Sequence, residues 1–394
     1  MLGQNSVLGV LGAGTMGLGI AQIALQRGHR VVLFDSQTEK RDQASAKLRA
    51  SLGRLVEKKA MTSQDLEEAL GRFTAGTDLT PFRDADFVIE AIVENREAKC
   101  AIFGDLENVI SDRCIVGTNT SSLSITSLSS NCRVPTRFLG VHFFNPAPVM
   151  ALVEIIPGIH TDAETVANVR SLIDSWGKTT VVANDTPGFI VNRIARPFYG
   201  EALRIYEEGI ADHVTIDWAM REFGEFRMGP FELMDFIGND VNFKVTETIF
   251  EAFYYEPRYR PSLLQKRLVE ANLLGLKTKR GFYDYRPGAI ATEPRRDLTL
   301  GRAIFYRVLA MLINEASDAL MLGVATAEDL DLAMTKGVNY PKGLLRWADE
   351  LGSTNIYQEL ERLYHYYGED RYRPSPLLKK LAQTGDRFFL AVQA

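Results

Sequence analysis

The sequence predicts an α/β domain built on a doubly wound, mostly parallel sheet, followed by an all-α region. Two short apolar runs, Val7–Leu11 and Arg30–Phe34, flank a glycine cluster and leave room for one helix between them, which is the pattern of a βαβ unit. Strand and helix patterns continue to alternate beyond it, as in sheets covered by helices on both faces. After Pro187-Gly188 the strand patterns stop and long helical patterns begin, so a domain boundary is expected near residues 186–192.

The remaining elements are predicted from hydrophobic periodicity and helix-start signals. Ser36 is a candidate cap for a helix over 42–59, which has apolar residues on one face and basic residues on the other. Further strands are predicted over 87–92, 114–118, 138–143, 152–156 and 180–183. Further helices are predicted over 98–109, 165–176, 195–208, 216–222, 231–252 and 263–272.

The helical region contains an internal repeat. Short strings recur 114 positions later, and one recurs at 113. They are Glu201-Ala202 with Glu315-Ala316, Asp217-Trp-Ala-Met with Asp331-Leu-Ala-Met, Met228-Gly-Pro with Lys342-Gly-Leu, and Tyr259-Arg-Pro-Ser with Tyr372-Arg-Pro-Ser. A constant offset predicts that the helical unit is duplicated in tandem. The predicted domains are therefore residues 1–187, a first helical copy at 188–286 and a second at 298–394.

The composition is that of a folded protein without a broad affinity for polyanions. Of 394 residues, 46% are hydrophobic and 24% are charged, and the net charge is −5. These values exclude a disordered chain and argue against nucleic-acid or membrane-surface binding, which needs an excess of cations. The apolar stretch over 138–156 is interrupted by polar and proline residues, so it does not predict a membrane span.

Cysteine usage and the N-terminus bear on the compartment. Cys100, Cys114 and Cys132 form neither a disulfide framework nor a CxxC metal pattern, so we expect small, buried or half-buried thiols and no metal. The N-terminal run lacks the basic region of a signal peptide. A cytoplasmic location is therefore expected.

A dinucleotide-binding loop is predicted between the first strand and the first helix. Gly12 permits a tight turn, Gly14 lets the backbone approach a pyrophosphate, and Gly17 lets the helix pack on the strand. Free N–H groups at the helix N-terminus favour an anion. A structural glycine turn is the alternative, but the strand–loop–helix context favours a Rossmann-type site. The six residues of the loop are Gly12, Ala13, Gly14, Thr15, Met16 and Gly17.

Asp35, at the end of the second strand, predicts the choice of cofactor. A carboxylate there accepts hydrogen bonds from the adenine-ribose hydroxyls and repels a 2′-phosphate, so NAD is expected rather than NADP. Ser36 and Gln37 supply no cation for such a phosphate. Capping of the following helix is an alternative role for Asp35, and the two roles are compatible.

His142 is the candidate general base. It ends a predicted strand on the side where open α/β sheets bind ligands, whereas the other four histidines have polar, surface-like contexts or lie in a turn. Glu154 lies on the next strand in an apolar run, where an unpaired carboxylate would be costly. A bond from one imidazole nitrogen to Glu154 would leave the other nitrogen available as a base. A purely structural histidine is the alternative.

Together these motifs resemble the L-3-hydroxyacyl-CoA dehydrogenase family, and the resemblance is nearly continuous over residues 5–286. The second helical copy resembles the duplicated C-terminal unit of multifunctional β-oxidation proteins. The resemblance implies an NAD-dependent enzyme that oxidises the 3-hydroxyl of an acyl-CoA to a ketone, in fatty-acid β-oxidation or a related acyl-CoA pathway. It is carried by Gly12 to Gly17, Thr118-Asn-Thr-Ser-Ser-Leu, His142-Phe-Phe-Asn-Pro, Glu154 and Asp185-Thr-Pro-Gly-Phe-Ile-Val-Asn-Arg193.

The resemblance also implies roles for individual residues. His142 and Glu154 match the catalytic base and its partner, while Ser121 and Asn192 match residues that hold the reacting oxygen or the thioester carbonyl. A turn residue and a helix cap are the alternatives for this second pair. Matches to cofactor contacts near the nicotinamide are Glu94, Lys99, Ser121 and Lys277. Matches to substrate contacts are Ser51 and Lys58, for coenzyme A, and Asn145, beside the active site.

Two other functions are compatible with parts of this pattern. Sugar-acid dehydrogenases related to lambda-crystallin share the His–Glu arrangement but act on free hydroxy acids, and Ser51 and Lys58 favour a CoA thioester instead. A non-catalytic NAD-binding protein would leave a complete site idle.

The repeat predicts how the chain assembles. Relatives with one helical unit typically dimerise through it, so two copies in one chain are expected to pack as an intramolecular pseudo-dimer, which gives a monomer or a homodimer through another surface. Tyr306 stands in the second copy where Asn192 stands in the first, so the second copy is expected to be non-catalytic.

Overall fold

The chain divides into two units, and a mostly parallel β-sheet forms the centre of the first. The computed structural model describes residues 2–3 and 5–389, and the first unit ends at Phe189 while the second begins at Ile190. Within the described residues the sheet has eight strands in the order β3-β2-β1-β4-β5-β6-β7-β8. The strands are β1 Val7–Leu11, β2 Arg30–Phe34, β3 Phe73–Ala75, β4 Phe87–Glu90, β5 Ile115–Thr118, β6 Phe138–Phe143, β7 Leu152–Pro157 and β8 Thr179–Val182.

Neighbouring strands run parallel except β6 and β7, which are antiparallel. The central strands are buried along their whole length, because helices cover both faces of such a sheet. The helices of this unit are α1 Thr15–Gln26, α2 Thr38–Asp42, α3 Ala44–Glu57, α4 Ser63–Gly71, α5 Arg96–Glu107, α6 Ile125–Ser129 and α7 Ala163–Ser175, with 3₁₀ turns at Thr80–Asp84 and Pro135–Arg137. The predicted Rossmann-like, mostly parallel sheet is confirmed.

Several local predictions in this unit were wrong. Strand β3 and helix α4 were missed, since β3 has only three residues and carries little periodic signal. Ser36 caps no helix, because α2 begins at Thr38 with Gln37 as its cap residue. The single helix expected over 42–59 ends at Glu57, and the strand expected to reach 92 ends at Glu90.

The helices and 3₁₀ turns of the second unit are joined by loops, and no strand of the sheet lies in its described residues. Its helices are α8 Val191–Ile194, α9 Arg196–Glu207, α10 His213–Gly224, α11 Pro230–Ile237, α12 Asn239–Ala252, α13 Leu263–Glu270, α14 Leu298–Met321, α15 Ala327–Gly337, α16 Leu344–Leu351, α17 Ser353–Tyr367 and α18 Pro376–Thr384, with 3₁₀ turns at Pro257–Tyr259, Leu276–Thr278 and Asp370–Tyr372. The long helix expected over 231–252 is in fact two helices. Gly238, with a φ of +103°, turns the chain between them. Among the described residues, no helix of the protein combines the length and apolar character needed to cross a bilayer.

Helices of the second unit recur at a constant distance along the chain. Helices α10 to α12 begin 114 residues before α15 to α17, and α13 begins 113 before α18. The breaks between α11 and α12 and between α16 and α17 both lie at glycines of positive φ, Gly238 and Gly352. Asp217 accepts the backbone N–H groups of Phe231 and Glu232. Asp331 accepts those of residues 345 and 346, which lie 114 positions after Phe231 and Glu232.

Buried ion pairs join the two halves of this unit in matching ways. The Arg193 Nε donates to Glu315 over 2.6 Å, and the Arg307 Nε donates to Glu201 over 2.7 Å. The Tyr259 hydroxyl also donates to Glu315. Burial by itself would raise the pKa of Glu315, but Arg193 and Arg258 outweigh it and hold the pKa below its ordinary value. Each pair therefore remains charged at neutral pH.

Replacing Glu315 with Gln should destabilise the protein by about 3 kcal/mol, because the buried guanidinium of Arg193 loses its counter-charge. The unfolding midpoint in urea, followed by circular dichroism, measures the loss. Glu247→Gln is the control, since the Lys244–Glu247 pair is exposed and its removal should change stability by less than about 0.5 kcal/mol. Equal midpoints for the two variants would contradict the importance given to the buried pair.

Candidate active site

The glycine loop after β1 has the geometry that a dinucleotide requires. Gly12 has a φ of +106°, and a Cβ on Gly17 would lie 1.9 Å from the Gly12 carbonyl oxygen, so neither position accepts a side chain. A Cβ on Gly14 would meet nothing within 4 Å, so its backbone faces open space. No side chain caps the N-terminus of α1, which leaves N–H groups for a phosphate. The residues of the loop therefore fit a bound pyrophosphate.

Asp35 holds the loop and borders the adjoining cavity. Its two carboxylate oxygens accept the backbone N–H groups of Ala13 and Gln37, each over 2.8 Å. The cavity beside it has a volume of about 520 Å³ and is lined by the glycine loop, the end of β2 and one face of α5. The remaining lone pairs of the carboxylate can accept ribose hydroxyls, as expected for NAD.

Glu94 accepts several hydrogen bonds from the loop that carries Ser121. One carboxylate oxygen accepts the Thr120 hydroxyl over 2.6 Å, the Ser121 N–H over 2.9 Å and the Ser122 N–H over 3.1 Å. Burial by itself would raise the pKa of Glu94, but Lys99 and these donors outweigh it and lower the pKa below its ordinary value. An ionised Glu94 thus fixes the backbone around Ser121.

Lys99 lies inside the first unit and not on its surface. Its side chain is 1% exposed, and its ammonium donates to Glu90 over 2.6 Å and lies 3.3 Å from Glu94. Glu90, at the end of β4, also accepts the Thr118 hydroxyl and the Ile92 N–H. One buried cation therefore ties together the ends of strands β4 and β5 and the Ser121 loop.

His142 and Glu154 face each other across the one antiparallel strand pair of the described sheet. They are direct partners in the register of β6 and β7, so their side chains leave the same face of the sheet. His142 Nδ1 lies 2.7 Å from a Glu154 carboxylate oxygen, and Glu154 is fully buried. The carboxylate selects the tautomer with a proton on Nδ1 and leaves the lone pair of Nε2 for chemistry.

The imidazole is held by aromatic rings and a fixed strand end. Phe144 and Phe189 lie 4.5 Å and 5.8 Å from its ring, measured between centroids. The Asn119 side chain accepts the N–H of Phe143, the residue after His142, over 2.8 Å. The ring is 5% exposed, so it is shielded from bulk water yet reachable.

The other histidines and the cysteines have structural surroundings. His29 is buried, with Nδ1 bonded to the Ser6 carbonyl and Nε2 accepting the Trp176 N–H, and burial lowers its pKa. His213, expected at the surface, is half-buried against aromatic rings because α10 packs on α11. Burial raises the pKa of the Cys114 and Cys132 thiols to about 12, so neither is a reactive thiolate.

The other predicted residues are placed as follows. Ser51 lies on α3 and donates to the Leu48 carbonyl, and Lys58 ends that helix with an exposed side chain two turns away. Asn145 is exposed shortly after β6. In the second unit, Asn192 lies in α8 and Lys277 forms a 2.6 Å ion pair with Asp240. The described residues contain no cluster of three or more potential metal ligands.

Sequence reasoning missed the residues that support the site. Glu90 was interpreted only as a strand residue, and Thr118, Asn119 and Thr120 only as part of a motif. The sequence does contain a signal for them. Glu90 is a carboxylate in the apolar run of β4, and a buried carboxylate there needs a partner for the same reason as Glu154. Its partner Lys99 was predicted only as a cofactor contact, and its burial depends on the packing of α5.

Comparison with known proteins agrees with this geometry. A family model described as the NAD-binding domain of 3-hydroxyacyl-CoA dehydrogenase matches residues 7–186. A second, described as the C-terminal domain of the same enzyme, matches residues 188–285 and again 304–387.

Individual relatives cover most of the chain. A 3-hydroxyadipyl-CoA dehydrogenase of Escherichia coli K12 is 38% identical, over 97% of this chain and 98% of the relative. A probable 3-hydroxybutyryl-CoA dehydrogenase of Deinococcus radiodurans is 42% identical over 70% of this chain and 99% of its own length. The crystal structure of a 3-hydroxybutyryl-CoA dehydrogenase from Escherichia coli K12 superposes with a TM-score of 0.91 at 37% identity, covering 96% of this chain and 98% of that chain. The chain therefore belongs to the 3-hydroxyacyl-CoA dehydrogenase family of NAD-dependent oxidoreductases.

Proposed function

We propose that this enzyme interconverts L-3-hydroxyacyl-CoA and 3-ketoacyl-CoA with His142 as the general base. The observation that carries the proposal is the buried 2.7 Å contact between His142 Nδ1 and Glu154. It places an imidazole proton on Nδ1, so that Nε2 is directed away from Glu154, and it offsets the charge of the imidazolium that forms when Nε2 takes the hydroxyl proton. NAD, when bound, accepts the hydride from C3 of the substrate.

Glu94 and Lys99 are proposed to act through the Ser121 loop. Because the Lys99 ammonium is buried between two carboxylates, it is suited to hold Glu94 and not to contact a cofactor directly. Glu94 in turn fixes the backbone N–H groups of Ser121 and Ser122. The Ser121 hydroxyl is proposed to hydrogen-bond the reacting oxygen or the thioester carbonyl. Asn192 as a second donor and Lys277 as a cofactor contact rest on the resemblance alone.

The substrate is proposed to be a CoA thioester. Ser51 and Lys58 lie about two turns apart on one helix, so they share a face, and the exposed Lys58 ammonium can meet a coenzyme A phosphate. Asn145, exposed beyond β6, is proposed to lie beside the acyl group. Relatives are named for 3-hydroxybutyryl and for 3-hydroxyadipyl thioesters, so the far end of the acyl chain distinguishes the candidates. A place in β-oxidation and a cytoplasmic location stay predictions.

We also propose that the second unit consists of two tandem helical copies, residues 188–286 and 298–394, that pack as an intramolecular pseudo-dimer. The constant offset of the helix starts supports the duplication, and so does the match of one family model to two stretches. The reciprocal pairs Arg193–Glu315 and Arg307–Glu201 support a two-fold-like arrangement. A monomer, or a homodimer through another surface, follows from this proposal.

His142→Gln should lower kcat by at least about a hundredfold while NADH binding is preserved, because the base is lost and the cofactor loop is untouched. Glu154→Gln should also lower kcat, since a neutral partner no longer stabilises the imidazolium. Reduction of acetoacetyl-CoA by NADH measures both, with free acetoacetate as the substrate that should fail. The exposed His160 gives the control His160→Gln, expected to match the wild type. Wild-type turnover in His142→Gln, or an effect of Glu154→Gln on the KM for NAD alone, would refute these roles.

Asp35→Ala should weaken NAD binding and narrow the gap to NADP, because the carboxylate that accepts the ribose hydroxyls and repels a 2′-phosphate is gone. Dissociation constants for NADH and NADPH from fluorescence titration measure both effects. Asp42→Ala, at an exposed position on the following helix, should change neither constant. A wild-type enzyme that prefers NADPH would contradict the assignment.

Truncation after Tyr285 tests the pseudo-dimer. Removal of the second copy takes away Glu315 and Arg307 and exposes the apolar faces of α9 and α10, on which α14 packs. The product should therefore be insoluble or should form a new dimer in light scattering. A stable, fully active monomer of residues 1–285 would show that the pseudo-dimer is dispensable.

A further inference from the structure

The loop between β6 and β7, residues 144–151, connects the strand of His142 directly to the strand of its partner Glu154. It contains eight residues, whereas antiparallel neighbours are commonly joined by about two to five. Its first residue, Phe144, packs against the His142 ring, and the next, Asn145, is exposed. The path of this β6–β7 loop therefore bears on what surrounds the imidazole.

A single ammonium holds the second half of the β6–β7 loop. The Lys178 Nζ donates to the carbonyl oxygens of Ala147 and Met150, each over 2.7 Å, and to that of Pro148 over 3.4 Å. An ammonium has three N–H donors, so these three carbonyls use all of them. Carbonyl oxygens that are withdrawn from water need such donors, and here one side chain supplies them for most of a loop.

The backbone around Lys178 is anchored on both sides. Trp176, two residues earlier, is 2% exposed and donates its indole N–H to His29 Nε2 over 3.0 Å. The next residue, Thr179, donates its backbone N–H to the Ala151 carbonyl at the end of the loop over 2.8 Å. The ammonium therefore reaches the β6–β7 loop from a segment that is itself fixed to the first unit.

The β6–β7 loop also packs tightly against α1. A Cβ on Gly19 would lie 3.1 Å from the Cβ of Ala147 and from the ring of Pro148, so the helix and the loop leave no space for a side chain between them. Ala147 is 2% exposed, whereas Val149 is 75% exposed. The loop thus turns its small residues to the protein and leaves Asn145 and an apolar side chain exposed.

Hydrogen bonds, and not an ion pair, hold Lys178 in this place. Among the described residues, the acceptors of its ammonium are carbonyl oxygens and not carboxylates. The side chain is half-buried, and this burial, followed by the nearby cation Arg27, lowers the pKa of Lys178. Both cations line a cavity of about 850 Å³. A partly desolvated cation beside a second cation is costly, so its bonds to the loop must offset that cost.

We propose that Lys178 is a positioning residue for the reaction, which holds the β6–β7 loop so that the acyl thioester meets His142 in a reactive orientation. The inference rests on the proposed function, because Asn145 on this loop is the proposed contact beside the acyl group. A misplacement of about 1 Å can lower a rate about a hundredfold even when its cause is remote from the chemistry. Since the three donors of Lys178 are used by the loop, it acts through the loop and does not touch the substrate.

Lys178→Met tests the proposal, because it removes the three donors and retains an unbranched side chain. In the reduction of acetoacetyl-CoA by NADH, kcat should fall about tenfold to a hundredfold, the KM for acetoacetyl-CoA should change less, and the dissociation constant for NADH should stay the same. Lys178→Gln retains two N–H donors without the charge, so its kcat should fall less. Arg27→Met is the matched control, since it removes a cation from the same cavity but no donor to the loop, and it should match the wild type.

Hydrogen exchange followed by mass spectrometry gives a readout other than activity. The N–H groups of Val149 and Met150 donate to the Pro146 carbonyl within the loop, over 2.9 Å and 3.0 Å. They should exchange faster in Lys178→Met than in the wild type, because the loop has lost its attachment. The amides of β6 should exchange at the same rate in both proteins.

Three results would overturn the proposal. A salt-dependent rise in the KM for acetoacetyl-CoA at unchanged kcat would mean that Lys178 binds a phosphate of coenzyme A. Unchanged kcat and KM with a lower unfolding temperature would mean a purely structural role. A lower kcat with unchanged exchange in the loop, or with an equal loss in Arg27→Met, would mean that the effect does not pass through the loop.

If Lys178→Met is insoluble, the same criteria apply to Lys178→Gln. The wild type separates this inference from the proposed function. An enzyme that reduces acetoacetyl-CoA, and whose Lys178 variants keep its kcat, defeats the role of Lys178 alone. A wild type that does not reduce acetoacetyl-CoA defeats the proposed function as well.

Discussion

Lys99 lies in the interior of the first unit between Glu90 and Glu94, and the local order of the candidate site depends on that buried cation. Without it, two carboxylates would lie close together in an apolar environment and would repel each other. With it, Glu90 holds the ends of β4 and β5 and Glu94 holds the loop of Ser121. The candidate site at this sheet edge is thus held in place by Glu90, Glu94 and Lys99.

The same requirement, that a buried charge be compensated, recurs through the molecule. Glu154 is hydrogen-bonded to His142 on the neighbouring strand. Glu201 and Glu315 are compensated by arginines from the opposite half of the helical unit. Each pair constrains the elements that carry it, because breaking the pair would leave a charge in the interior without a partner.

The two helical halves share residues at some corresponding positions and differ at others. Positions that join the halves carry the same arginines and tyrosines in both. Positions around Arg196 are polar in the first half and apolar in the second, as in Thr246 and Leu360. Under the proposed duplication, the positions that join the halves are the same in both copies, whereas these neighbouring positions differ.

The sequence by itself determined the class of the first unit, the glycine loop and the position of Asp35 at a strand end, because these follow from local patterns. It also predicted the pairing of His142 with Glu154, because a carboxylate in an apolar strand needs a partner. It did not reveal that Lys99 is buried, that Gly238 divides a helix, or that Lys178 donates to the loop between β6 and β7. A lysine on an amphipathic helix and a lysine just after a helix end have the same local pattern whether they are solvated or enclosed. Only the tertiary structure decides which charges lose their water, since that depends on elements far away in the chain.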